Sequence, residues 1–197
     1  MNIHTKKFAF LFIFGCLFLF ASAHSDSLEI HVQNVVIHAK SNVMSFKIKY
    51  SEGAINQIKH NHFHYQPESG KYENHFELMA VEFEAPNKII KSDFEQMVRA
   101  EEFPKINIYM EDVCIPNMEN KMPKQISIRL QLGGVFRKVK IDCSSSINSD
   151  STQTFAGRGQ INLFDFGLEA PKHIFGLIKV KEPIIITFEV RVSSNKN

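Results

Sequence analysis

The stretch "QISIRLQLGGVFRKVKID", residues 125–142, gives the clearest indication of the type of fold. Apolar residues alternate with polar ones before Gly133 and Gly134, and the alternation returns after them. A period of two is typical of a β-strand with one buried face. Two glycines between such runs favour a tight turn, because glycine adopts positive φ without steric cost. The sequence therefore predicts an antiparallel β-hairpin here.

Other segments repeat this pattern. "NVMSFKIKY", residues 42–50, and "PIIITFEVRV", residues 183–192, each place their larger apolar residues on one face. "HFELMAVEF", residues 75–83, is apolar on both faces, as expected for a strand between an interior and a second packing layer. The candidate interior lining consists of Met44, Phe46, Ile48, Val81 and Phe83.

One helix is predicted among the strands. Ser92, followed three residues later by Glu95, matches a capping box, and Phe94, Met97 and Val98 then share one helical face. Pro104 closes the segment. We expect this short helix to cover one end of the sheet or barrel. Many strands, one helix and a single-domain length predict an all-β fold, as a closed antiparallel barrel or a two-sheet sandwich.

The N-terminus predicts export. Lys6 and Lys7 precede the apolar run "FAFLFIFGCLFLF", which ends in the small-residue triplet "ASA" at residues 21–23. These are the three parts of a secretory signal peptide. We expect cleavage after Ala23, which leaves residues 24–197 as one domain. A membrane anchor is the competing interpretation of the run, and Cys16 is a candidate for lipidation.

The charge balance excludes an electrostatic nucleic-acid binder. Residues 1–23 contain two lysines and no acidic residue, so their removal lowers the formal net charge from +2 to 0. Neither a basic domain nor a basic tail remains to neutralise phosphates.

Two cysteines remain in the mature chain, Cys114 and Cys143. An even pair in an oxidising compartment favours a disulfide, and both cysteines follow predicted strands that end at the same edge of the sheet. Directly within the sheet they would lie roughly 10 Å apart, too far for a bond. Two separate thiols remain the alternative.

Three histidines, His60, His62 and His64, alternate in "KHNHFHYQ", residues 59–66. Two imidazoles on one strand face are a workable pair for zinc or copper, and a turn centred on Ser69-Gly70 would add His75 opposite His64. Three such imidazoles span about 13 Å, so one ion cannot take all of them from a regular strand. A polar outer face on an edge strand and a proton-sensing patch are the other interpretations.

The chain offers no catalytic constellation. "FDFG", residues 164–167, contains the triplet that holds magnesium in kinases, but no Gly-rich phosphate loop accompanies it. We interpret Asp165 as a turn residue and Gly167 as the residue with positive φ. No Gly-x-Ser-x-Gly elbow is present, and neither cysteine has a nearby histidine in sequence. We therefore predict no enzyme and no cofactor.

Three segments together resemble the YceI-like family. They are "IIKSDFEQMVRAEEFPKINI" at 89–108, "ISIRLQLGGVFRKVKID" at 126–142, and "FAGRGQINLFDFGLEAP" at 155–171 ahead of "VKEPIIITFEV". Their order and spacing agree with the family over roughly residues 88–192, and "SNVMSFKIKY" is similar to the first barrel strand of divergent members. Leu163 stands where the family often has a basic residue, and residues 51–74 have no clear counterpart.

The resemblance implies a lipocalin-like barrel in a secreted or periplasmic protein that binds a polyisoprenoid or similar lipid. The apolar inward rows suit such a ligand, because burying a CH₂ group contributes about 0.8 kcal/mol without a directional partner. The expected function is therefore a non-catalytic lipid carrier. The alternative is a barrel filled by side chains that binds a metal or a partner protein through the histidine strand.

Overall fold

The structure is a computed structural model that describes residues 28–58, 61–66, 68, 71–113, 124–150, 152–169, 172–173 and 178–194. The strands are β1 (Leu28–Ser41), β2 (Ser45–Tyr50), β3 (Asn61–Gln66), β4 (Lys71–Met79), β5 (Phe83–Glu84), β6 (Lys105–Val113), β7 (Gln125–Leu132), β8 (Val135–Ile147), β9 (Gln153–Ile161), β10 (Lys172–His173) and β11 (Ile178–Ser194). The helices are α1 (Glu52–Gln57) and α2 (Lys88–Met97).

The strands form one antiparallel sheet that closes on itself. Around the wall the order is β1, β11, β9, β8, β7, β6, β4 and β3, and the first residues of β3 pair with the start of β1. Farther along β1 its partner on that side is β2, which in turn pairs with the short β5. With β2 added to the eight strands of the wall, the described residues form a nearly closed barrel of nine antiparallel strands, which confirms the predicted fold class.

The hairpin that predicted the fold is present. β7 and β8 pair from Gln125 with Asp142 to Leu132 with Val135. Gly133 and Gly134 form the turn with φ of 55° and 82°, the left-handed conformation that a two-residue hairpin of this kind requires. The local alternation of apolar residues and the two glycines were therefore sufficient to predict this hairpin of the barrel.

Glycines in β9 make room for two large side chains of the neighbouring strands, each directly opposite one of the glycines. A Cβ atom on Gly157 would lie 2.1 Å from the ring of Phe188, and one on Gly159 would lie 2.6 Å from Ile141. Real Cβ atoms do not approach that closely. The glycine-rich strand thus makes room for side chains of the neighbouring strands β8 and β11.

The helices differ from the prediction. α2 begins one turn earlier than Ser92, because the side chain of Asn87 accepts a hydrogen bond from the Ile90 N–H and caps the helix. Ser92 therefore lies within the helix. Phe94 and Val98 are buried as expected. The sequence analysis also missed α1, which Ser51 caps through the Ala54 N–H.

The apolar stretch at residues 75–83 is not one continuous strand. β4 ends at Met79, and residues Ala80–Glu82 form a 3-10 turn, fixed by a hydrogen bond from Ala80 N–H to the Pro104 carbonyl. The turn breaks the alternation of faces. Ala80 and Phe83 are buried, whereas Val81 is 47% exposed.

The histidine strand is internal to the wall. β3 pairs with β1 on one side and with β4 on the other, so the prediction of an edge strand is wrong. In the β3–β4 hairpin His64 pairs with Glu73, and the predicted pairing with His75 is two residues out of register. The turn lies closer to Glu68 than the Ser69-Gly70 signal indicated.

The core lies inside the barrel and beneath α2. It is almost entirely apolar, and its largest side chains with under 2% exposure are Phe83, Ile141, Leu163 and Val98. Leu163 begins a short 3-10 turn, Leu163–Phe166, after which Gly167 adopts the predicted positive φ of 68°. Among the described residues, no helix has the length and apolar character needed to cross a membrane.

Candidate functional site

An open apolar cavity lies at the end of the barrel that α2 covers. Its volume is about 280 Å³, close to the lower end of the range of about 300–1,000 Å³ for small-molecule sites. β1, β2, the start of β11 and one face of α2 form its walls. The apolar lining residues are Ile37, Ala39, Met44, Phe46, Ile48, Ile89, Ile90, Phe94, Met97, Val180 and Ile184.

A rigid turn between β1 and β2 forms one side of the entrance. The Ser41 hydroxyl accepts hydrogen bonds from the N–H groups of Val43 and Met44 and donates one to the Met44 carbonyl. The Ser41 N–H donates to the same carbonyl at 2.7 Å. These bonds satisfy the turn from within, so Val43 and Met44 are held at its tip without outside support.

α2 forms the opposite side and is fixed to the barrel. Asn87 caps its start, and the Lys91 ammonium donates to the carbonyls of Val81, at 2.7 Å, and Phe83, at 3.3 Å. Phe94 packs on Phe83 with ring centroids 5.1 Å apart. The helix therefore covers this end at a defined position and leaves the cavity open beside it.

Among the described residues that line the cavity, the polar side chains are those of Ser41, Asn87 and Asp93. Ser41 is used within its turn, and Asn87 is at the exposed start of the helix. The remaining walls are hydrocarbon. Such a site can select a ligand with an apolar body and a polar end.

Two smaller apolar voids continue along the barrel axis. The middle one, of about 60 Å³, shares Ile37, Phe94, Met97 and Ile184 with the open cavity. The far one, of about 70 Å³, shares Val35, Leu78 and Ile186 with the middle one. Both are lined by carbon-rich side chains alone. The three spaces form a row, in which the two inner voids are much smaller than the open cavity beside α2.

The predicted lining residues fall in three places. Met44, Phe46 and Ile48 line the open cavity. Phe83 lines the middle void, and it packs on Tyr50 as well as on Phe94. Val81 does not face the interior, because the turn at Ala80–Glu82 directs it to a surface groove beside α2. Contact of any of these residues with a ligand stays a prediction.

Sequence reasoning missed the contribution of β1. Ile37, Ala39 and Ser41 line the cavity at alternate positions of "IHAKS", so the same period of two was available as a signal. It also missed that Val180 and Ile184 meet α2 here. These residues come together only through the pairing of β1 with β11, which no local pattern specifies.

The candidate metal ligands are not assembled in the described part of the chain. His60 lies outside the described residues, and no group of three or more possible ligands occurs within them. The imidazole of His75 is exposed, stacks on Tyr109 at 4.2 Å and shares a 3.1 Å hydrogen bond with the Asn107 side chain. In the backbone register of β1 and β3, His62 lies opposite Glu29. The metal site stays a prediction.

Cys143 is half-buried, and burial raises the pKa of its thiol. It is not bonded to a cysteine of the described residues. Cys114 lies outside them, so a disulfide between Cys114 and Cys143 also stays a prediction.

Comparison with known proteins identifies the fold family. A family model described as YceI-like domain matches residues 28–192. The structure is similar to BcnA of Burkholderia cenocepacia, with a TM-score of 0.60 at 13% identity over 81% of this chain and 96% of that one. It is also similar to a polyisoprenoid binding domain from Saccharophagus degradans implicated in plant cell wall breakdown, with a TM-score of 0.61 at 7% identity over 86% and 99%.

At these identities the two structures show a shared fold alone, and none of the curated proteins matches the chain in sequence. The family model is more informative, since it covers most of the chain, including every wall of the open cavity. The protein belongs to the YceI-like family.

Proposed function

We propose that this barrel binds one lipid-like molecule of the polyisoprenoid class and carries it without catalysis. The observation that carries the proposal is the open cavity of about 280 Å³ between α2 and the β1–β2 hairpin. An ordinary core would be filled at this position, because protein interiors pack as densely as organic crystals.

The lining favours hydrocarbon. Each CH₂ group that leaves water for such a cavity contributes about 0.8 kcal/mol, and none of the walls demands a hydrogen bond in return. Asn87 and Asp93 are the polar residues of the lining on the helix side of the cavity. We therefore infer that the ligand has an apolar tail directed inward and a polar end near α2.

The row of voids supports an elongated tail. The two inner spaces are small, about 60 and 70 Å³. A tail that extends beyond the open cavity therefore requires rotamer changes of side chains such as Met97, which borders two of the spaces. Leu163 borders the middle void at the position where the family often has a basic residue. The interior is thus suited to hydrocarbon over its whole length.

The polyisoprenoid class is supported by the family and by the name of the similar domain from Saccharophagus degradans. Export is supported by the signal-peptide pattern of residues 1–23, which lie outside the described residues. A carrier that works outside the cytoplasm would protect an insoluble ligand from water during transfer.

The test is native mass spectrometry of the mature protein, purified from an exporting host and recorded before and after denaturation. Loss of a few hundred daltons on unfolding is expected, with the released species identified as a lipid. Ala39→Phe places a ring in the open cavity and should abolish the loss. Ala156→Phe places the same ring on the outer face of β9 and should retain it.

An unchanged mass in all three proteins, after incubation with polyprenol vesicles, would contradict the proposal. Loss of one transition-metal mass would instead favour the histidine strand as the binding site.

A further inference from the structure

Exposed apolar side chains gather at the helix-capped end of the barrel. Most of the large apolar residues that are exposed in the described chain lie in turns or helix at this end: Val43, Met44, Val81, Ile89 and Phe164. The pairings of Ser41 with Val180, Met79 with Lys105 and Ile161 with Ile184 place the corresponding strand ends together. Ile147, equally exposed, lies at the opposite end of β8.

Local hydrogen bonds hold the apolar side chains at the cavity entrance in exposed positions. Val43 is 64% exposed and Ile89 is 65% exposed, on the two sides of the cavity entrance. The Ser41 turn holds the first through three hydrogen bonds of its hydroxyl, and the Asn87 cap fixes the first turn of α2 that carries the second. Holding apolar groups in water at fixed positions is unfavourable unless something covers them.

Lysines border the same entrance. Lys40 and Lys181 are directly opposite each other across β1 and β11, an arrangement of like charges that destabilises a sheet. Neither forms an ion pair with any of the residues that the structure describes. Lys47 on β2 and Lys88 at the start of α2 are also exposed. The acid next to Lys181 is engaged elsewhere, because Glu182 accepts a 2.7 Å hydrogen bond from the Leu163 N–H.

We propose that this end docks on the surface of a lipid bilayer that contains anionic lipids. Val43 and Ile89 would enter the interface between head groups and acyl chains, while Lys40, Lys47 and Lys181 face lipid phosphates. The inference rests on the proposed function, since docking in this orientation brings the cavity entrance to the layer from which an apolar ligand is taken. Docking adds a partner, the bilayer, and a defined orientation to the proposed function.

Charge complementarity favours a bilayer over a second copy of the chain. A second copy would bring the same lysines against each other. The formal net charge of 0 for the mature protein means that it has no excess of acidic residues to offset this repulsion. An anionic bilayer neutralises them, with each lysine near the surface contributing favourably. Exposed apolar side chains flanked by lysines are typical of proteins that bind to the membrane surface.

The test is flotation of the mature protein with vesicles of phosphatidylcholine, with and without phosphatidylglycerol. Wild type should float with the anionic vesicles, and less so with neutral vesicles or at high salt. Val43→Asp should lower the partition constant for anionic vesicles at least about tenfold. The double variant Lys40→Glu with Lys181→Glu should lower it by a similar factor. The matched controls Ile147→Asp and Lys124→Glu, at the opposite end, should bind like wild type.

None of the substituted positions lines the cavity. The variants should therefore still release a lipid in the mass-spectrometric test, and failure of docking is distinguishable from failure of ligand binding. Equal flotation of all variants, absence of wild-type flotation, or a dimer in sedimentation that Val43→Asp dissociates would each overturn the proposal. The last outcome would assign the surface to a second copy.

Discussion

The two ends of the barrel use the same alternating strands and reach opposite results. At the helix-capped end the wall carries Ala39 and Ser41 and leaves an open cavity of about 280 Å³. At the opposite end Phe76, Met110 and Phe188 point into the barrel and leave about 70 Å³. The difference arises from side-chain size, because small residues beside α2 leave space at one end, whereas large side chains fill the other.

This contrast separates the residues that stabilise the fold from those that we propose to bind a ligand. The filled end has the density of a normal core, so changes of volume there cost stability. The open end has unused space, so added volume should cost little stability and should exclude the ligand. Substitutions at matched positions in the two ends can therefore test whether one end serves stability and the other ligand binding.

The largest effect is expected at Phe83, which lies between the two ends and is 1% exposed. Phe83→Ala should lower the free energy of unfolding by about 3–5 kcal/mol, because it removes contacts with both Tyr50 and Phe94. Urea unfolding measures this. Phe164→Ala, at an 84% exposed position, is the control and should change stability by no more than about 0.5 kcal/mol.

A smaller loss is expected at the filled end. Gly157→Ala would bring a methyl group against the Phe188 ring, and the required shift should cost about 1–3 kcal/mol in urea unfolding. The same change at Gly53, in α1, meets no atom within 4 Å. It should stabilise the protein by about 0.5–1 kcal/mol, because alanine is the better helix former. Equal effects at both glycines would show that the far end is not tightly filled.

At the open end, added volume should be tolerated. Ala39→Phe should change the free energy of unfolding by less than about 1.5 kcal/mol, since the ring enters existing space. It should at the same time abolish lipid retention. A loss of stability as large as that of Phe83→Ala would mean that the space is needed by the core and is not a ligand cavity.

The smallest effect concerns pH on the outer wall of the open end. Burial, with Lys47 and Arg158 nearby, lowers the pKa of the His38 imidazole below its ordinary value. The unfolded chain therefore takes up the proton first. The contribution of His38 to the free energy of unfolding is fully present above its ordinary pKa and is lost as the pH falls through the folded-state pKa.

Thermal unfolding at pH 8 and pH 5 checks this, with the difference between wild type and His38→Gln as the readout. Wild type should lose more of its midpoint temperature on acidification than the variant. The glutamine side chain of the variant cannot titrate, and its amide can still reach Thr187, the 2.8 Å partner of the imidazole. An identical pH dependence in both proteins would contradict the shift.

The elements that the sequence predicted correctly are those that local chemistry determines. Gly133 and Gly134 require no distant partner to form their turn, and the alternation around them determines which face is buried. The start of α2 was missed because two capping residues compete, and Asn87 is the one that the structure uses. Val81 was misplaced because a bond from Ala80 to Pro104, distant along the chain, ends β4 early.

The candidate site was only partly predictable for the same reason. Met44, Phe46 and Ile48 were found because they lie on or next to one short strand. The cavity itself depends on the absence of bulk at Ala39 and on the position of α2, and both are properties of the assembled barrel. Apolar alternation predicts a buried face but carries no information about whether that face meets a neighbour or an empty space.

Photo-cross-linking with a polyprenol that carries a diazirine near the end of its chain, followed by peptide mapping, tests directly whether the open cavity holds the ligand. Adducts are expected on the walls of that cavity, at Ile37, Phe46 or Met97, and should be lost in Ala39→Phe but not in Ala156→Phe. Adducts confined to the outer face around His75 and Tyr109, or none at all, would contradict the proposal.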